Sequence, residues 1–65
     1  MSTPQDLQLT KIWESATWGA GHIGDAIKAR RDDSTKDITK DLGEALILLT
    51  KATAEIQQIL ATRTP

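Results

Sequence analysis

An all-α fold, a two-helix antiparallel hairpin that assembles into a helical bundle, is predicted on three observations. Strand signals are scarce: the chain has no Val, Tyr or Phe, and no alternation of apolar and polar residues runs long enough for a half-buried strand. Apolar residues instead recur at alternating steps of four and three in two separate stretches. Each stretch is preceded by a cluster of helix-starting residues.

The first start signal is Thr3-Pro4-Gln5-Asp6. Thr3 can accept a bond from an orphan backbone N–H, Pro4 sits where no N–H is needed, and Asp6 suits the positive end of a helix. Helix 1 is expected over about 4–31. Its stripe is Leu9, Trp13, Ala16, Ala20, Ile23 and Ile27, with Ile12 and Ala26 beside it. Gly19, Gly21 and Gly24 lie in its middle, and each costs roughly 1 kcal/mol relative to Ala. The apolar phase favours one continuous helix, while a break at Gly19–Gly21 giving three helices stays open.

A turn is expected at about 31–34, where Asp32-Asp33-Ser34 can hydrogen-bond the local backbone. Ser34 or Asp33 would cap helix 2, with Asp37 facing the dipole, and that helix should run over about 34–62. Its stripe, Ile38, Leu42, Ala45, Leu49, Ala52, Ile56 and Ile59, is the strongest signal in the chain, and Leu46, Thr53 and Leu60 widen it. The two stripes would face each other. Ile47 and Leu48 fall outside, so the run 45–49 is apolar all round and calls for a second neighbour.

With 65 residues the chain is one domain near the lower limit for an independent core. Small folds find support in disulfides, a structural metal or oligomerisation. There is no Cys, and a structural zinc site wants about four Cys or His ligands where only His22 is offered. No cofactor or metal is therefore expected, and association remains. Eight Lys plus Arg against nine Asp plus Glu give a net charge of −1. The densest cations, Lys28, Arg30 and Arg31, are followed by Asp32 and Asp33, which argues against nucleic-acid binding. No stretch reaches the ~18 apolar residues of a membrane span, and the N-terminus lacks a secretory pattern. The cytoplasm is the default expectation, with export by a route that needs no cleaved signal left open.

Gly19-Ala20-Gly21-His22-Ile23-Gly24 matches the G-x-G-x-x-G pattern of dinucleotide-binding folds. That motif needs a buried strand directly before the first Gly, and Glu14-Ser15-Ala16-Thr17-Trp18 is no such strand. Trp18-Gly19 resembles the W-x-G turn of small secreted helical hairpins, but Ala20 stands where that turn has Gly and the pair lies inside an arm. His22 falls on the polar side of helix 1, a solvated position. Asp37 and Asp41 share a helix face open to solvent, interleaved with Lys36 and Lys40. No nucleophile, base and acid can be grouped, and two helices leave little room for a small-molecule pocket, so no enzyme is expected.

The expected function is that of a non-enzymatic, self-assembling structural or interaction subunit. It would bury its stripe by homo-oligomerisation, as a four-helix-bundle dimer or a filament. The candidate interface residues are Trp13, Trp18, Leu42, Leu46, Ile47, Leu48, Leu49, Ile56 and Leu60. Trp13 lies on the stripe and is expected in the core; Trp18 lies on the outer face as an anchor. The alternative is a small adaptor, inhibitor or regulator docking on a different protein through Trp18, Ile47 and Leu48. A membrane-active amphipathic helix fits the Trp and Gly content but not the abundant Asp.

Overall fold

The computed structural model describes residues 3–63, with the side chain of Arg63 excepted. It is a helical hairpin of two elements, α1 (Pro4–Asp32) and α2 (Thr39–Arg63). The layer is flat, with extents of 49 × 25 × 13 Å. A single layer of two helices has two broad faces, and their chemistry determines what the molecule can do.

Helix α1 starts as its residues dictate. Thr3 Oγ1 accepts the Asp6 N–H and Asp6 Oδ2 accepts the Thr3 N–H, both at 3.1 Å, with Pro4 in the first turn. The helix runs through Gly19, Gly21 and Gly24 without interruption, so the three-helix alternative does not occur. At its end the Asp33 N–H reaches back to Ala29 O at 2.9 Å, and Arg30 and Arg31 in the last turn suit the negative pole.

The connection is longer than the sequence implies, because α2 begins at Thr39 and not at 34. Two carboxylates explain the difference. Asp33 Oδ1 accepts both the N–H and the hydroxyl of Thr35, and Asp37 Oδ1 does the same for Thr39, at 2.6–3.0 Å. The second of these local turns meets α2's first orphan N–H, in the place that Ser34 or Asp33 was expected to serve. Arg30 Nε donates to Lys36 O at 2.6 Å and ties the link to α1.

These bonds hold both carboxyls below their ordinary value of 3.8, through the Thr35 hydroxyl and N–H for Asp33 and the Thr39 hydroxyl and N–H for Asp37. A lowered folded-state pKa gives stability that is complete above the ordinary value and lost as pH falls through the lowered one. The Thr35 and Thr39 amides should therefore lose hydrogen-exchange protection as pH falls below the ordinary carboxyl value, with the middle of α1 unaffected.

On α1 the seam lies one residue away from the predicted stripe, whereas on α2 four residues of that stripe, Ile38, Ala45, Ala52 and Ile59, lie at the seam as expected. On α1 the residues turned toward α2 are Gln8, Ile12, Ser15, Gly19, His22, Ala26 and Ala29; opposite them are Ile38, just before α2, and Asp41, Ala45, Leu48, Ala52, Glu55 and Ile59 on α2. Both sets step by fours and threes. Among the described residues, only Ile12, Ala26, Ala45 and Ala52 form the buried apolar core, together with Gly19. Small side chains win the seam because they let the backbones come close, and dispersion rewards close approach. Leu48, read as outside the stripe, is half-buried in this seam. Trp13, expected in the core, is 66 % exposed in the hairpin, and Leu42 and Ile56 are exposed with it.

Gly19 shows how tight the seam is. A Cβ placed there would come within 2.9 Å of Leu49 Cγ, whereas Gly21, Gly24 and Gly43 face open space. Ala at each of those three positions should raise stability by about 0.5–1 kcal/mol through helix propensity. Ala at Gly19 should gain nothing, because the gain is offset by displacement of Leu49, and thermal denaturation of the four single variants would show the split.

Candidate functional site: an exposed apolar face

The residues that follow the seam positions from Gln8 to Ala26 on α1 are Leu9, Trp13, Ala16, Ala20, Ile23 and Ile27; those that follow Asp41 to Ile59 on α2 are Leu42, Leu46, Leu49, Thr53, Ile56 and Leu60. One step along a helix turns it by about 100°, and in an antiparallel pair the same step on both arms leads to the same side of the layer. These two lines of residues therefore share one broad face. The groove on the other side obeys the same geometry: Leu7 and Lys11, which precede seam positions on α1, line it together with Gln58, which precedes one on α2.

The two faces differ in kind. From Leu9 to Ile27 and from Leu42 to Leu60 the apolar face carries no charged residue, and Thr53 is its only polar side chain. The opposite face carries Lys11, Glu14, Asp25, Lys28, Lys40, Glu44 and Lys51. Eight large side chains of the apolar face, Leu9, Trp13, Ile23, Ile27, Leu42, Leu46, Ile56 and Leu60, are between 37 and 68 % exposed. At ordinary full areas of roughly 200 Å² for Leu or Ile and roughly 280 Å² for Trp, they present about 900 Å² to water.

Of the candidate interface residues, Trp13, Leu42, Leu46, Leu49, Ile56 and Leu60 are brought together on this face. Leu49 is half-buried, since it also packs toward Gly19. Trp18 and Ile47 are placed at one level on the polar side, both strongly exposed, with half-buried Leu48 in the seam at the same level.

The polar face holds a grouping that sequence reasoning missed. His22 Nδ1 lies 3.2 Å from Asp41 Oδ1 across the seam, and the donor atoms of His22, Asp25 and Asp41 all lie within 4.8 Å of one another. Asp25 lies three residues along α1 from His22, a neighbour visible in the sequence. Asp41 could be placed only once the register of the arms was known. These are the side chains among the described residues that could hold a divalent cation, on an open surface whose His and Asp41 side chains are about one-third exposed. As they stand they form a cross-helix hydrogen-bonded pair with a flanking carboxylate.

The fold and the face define a small all-α helical hairpin with one charged side and one apolar side. No family model, curated protein or solved structure matches the chain. No helix of the described residues is long and apolar enough to cross a membrane.

Proposed function

We propose that this protein is a self-assembling interaction subunit, and that its functional unit is a pair of hairpins joined through their apolar faces into a four-helix bundle. The observation that carries this reading is the sidedness of the hairpin. Among the described residues, eight of the eleven large apolar side chains that stand exposed lie on one face, Leu7, Trp18 and Ile47 being the others, and the core between the helices is mostly Ala and Gly. A stable protein interface buries about 800 Å² on each partner, and the face presents enough apolar area for that. Because that face is single, two copies satisfy each other and the assembly closes as a dimer; a filament would need a second apolar surface of similar size.

A second reading, an adaptor or regulator that docks on a different protein, is favoured by Trp18 and Ile47. They stand 68 and 65 % exposed among charges on the opposite side. The two tryptophans separate the readings. In a Trp18→Phe chain the emission of Trp13 should be blue-shifted at high concentration and move to the red on dilution; in a Trp13→Phe chain the emission of Trp18 should stay red throughout. Red emission from Trp13 at every concentration would remove the dimer reading.

A further inference from the structure

Two hairpins can close face to face about two different axes, and these predict different molecules. If the two-fold axis runs along the helices, α1 of each copy lies on α2 of the other and both loops sit at the same end. If it runs across the helices in the plane of the interface, α1 lies on α1, α2 lies on α2, and the loops sit at opposite ends. Resting on the reading that the face pairs with a second copy, we infer that the partner copy binds with its loop at the opposite end, so that Trp13 of one copy packs on Ile23 of the other and Arg30 meets the partner copy's Asp6.

Packing volume is the first ground. Along the face of one hairpin the levels are Leu9 with Leu60, Trp13 with Ile56, Ala16 with Thr53, Ala20 with Leu49, Ile23 with Leu46, and Ile27 with Leu42, as the antiparallel register dictates. The same-end arrangement stacks each level on itself. Two Trp and two Ile would then crowd one layer, and the next would contain only two Ala and two Thr. The opposite-end arrangement stacks bulky levels on bulky ones without pairing the tryptophans, and sets the Ala16–Thr53 level against Ala20–Leu49. Protein cores are filled to a nearly constant density, so the evenly filled stack is favoured.

Charge is the second ground. Continuing the α1 stripe by one step at each end leads from Leu9 to Asp6 and from Ile27 to Arg30, so that its ends carry opposite signs. With loops at opposite ends each Arg30 falls level with an Asp6. With loops at the same end Asp6 falls level with residue 63, also an Arg, but Arg30 falls level with Thr39 at the start of α2 and has no carboxylate opposite. Both groups have capacity for the contact. Asp6 uses Oδ2 for the Thr3 N–H, and Arg30 uses Nε for Lys36 O, which leaves one carboxylate oxygen and the Nη donors to make an ion pair.

The loop reports the axis directly. Ser34→Cys, at an exposed position in the link, carries a nitroxide without touching the face. Dipolar electron resonance on the labelled full chain at high concentration should give an intermolecular distance on the order of 40 Å, the length of a helix of this size at 1.5 Å per residue. A distance below about 20 Å would place both loops at one end and overturn the inference while leaving the dimer intact. Absence of any dipolar signal would overturn the dimer reading and the inference with it. As a second measurement, Arg30→Glu should weaken association about three- to tenfold, as expected for an exposed ion pair replaced by repulsion, and Asp6→Lys in the same chain should restore part of the loss.

Discussion

A Leu49→Asp chain is expected to lose both its helicity and its ability to associate. Leu49 stands where two contacts meet: it packs toward Gly19 in the seam and belongs to the stripe on the open face. Replacing it removes a large apolar side chain and leaves a carboxylate with no cation placed to receive it. The combined cost is at least about 3 kcal/mol, from lost burial and a poorly solvated charge. A chain of this size has a total stability of roughly 3–10 kcal/mol. Circular dichroism should show a largely unfolded chain at concentrations where the parent is helical, and a fully helical variant would contradict the central position given to Leu49.

Paired replacement of Trp13 and Leu46 by Glu should have the largest effect on association alone. Both side chains project from the apolar face, 66 and 68 % exposed, and neither is buried in the seam. Each dimer would lose four apolar groups and gain four carboxylates at one interface, which should weaken association at least about a thousandfold. Trp18→Glu with Ile47→Glu is the control. It places the same number of charges on the opposite side and should leave the native mass unchanged, whereas loss of a partner interaction through that control pair would support the adaptor reading.

Much of this was legible in the residues. The start of α1 followed from Thr3, Pro4 and Asp6, because a capping box is a local device and each partner lies within one turn of the others. The stripes on both arms were equally legible, since periodicity needs no knowledge of what lies opposite. Which surface each stripe faced was not. From Gln8 to Ala26 and from Asp41 to Ile59 every seam residue is followed by a residue of the open face, so each arm carries two neighbouring lines, the seam line holding Gly19, Ala26, Ala45 and Ala52 and the other most of the Leu, Ile and Trp; the predicted α2 stripe mixed the two. Periodicity weights bulk and selects the second line, while close approach of two backbones selects the first. The link was misjudged for a similar reason. Asp33 and Asp37 each occur two residues before a Thr, and the helix starts at the second of these turns because only that one delivers a carboxylate to the first orphan N–H of α2.

The pairing of His22 with Asp41 depends on register alone, and no local signal announces it. Once Gly19 is set against Leu48 and Leu49, residues 22 and 41 come within reach across the seam. The same register aligns the two apolar stripes on one side of the layer. A polar cross-helix contact and an apolar outer face are thus two consequences of one choice, the use of small residues to bring the arms together.

Sedimentation equilibrium over a range from about one to several hundred micromolar tests the central claim most directly, with helicity followed on the same samples. Twice the chain mass of 7.1 kDa is predicted at the upper end, with mass and helicity falling together on dilution. A single-chain mass with undiminished helicity at every concentration would contradict it, since the hairpin would then be stable with its large apolar side chains left in water.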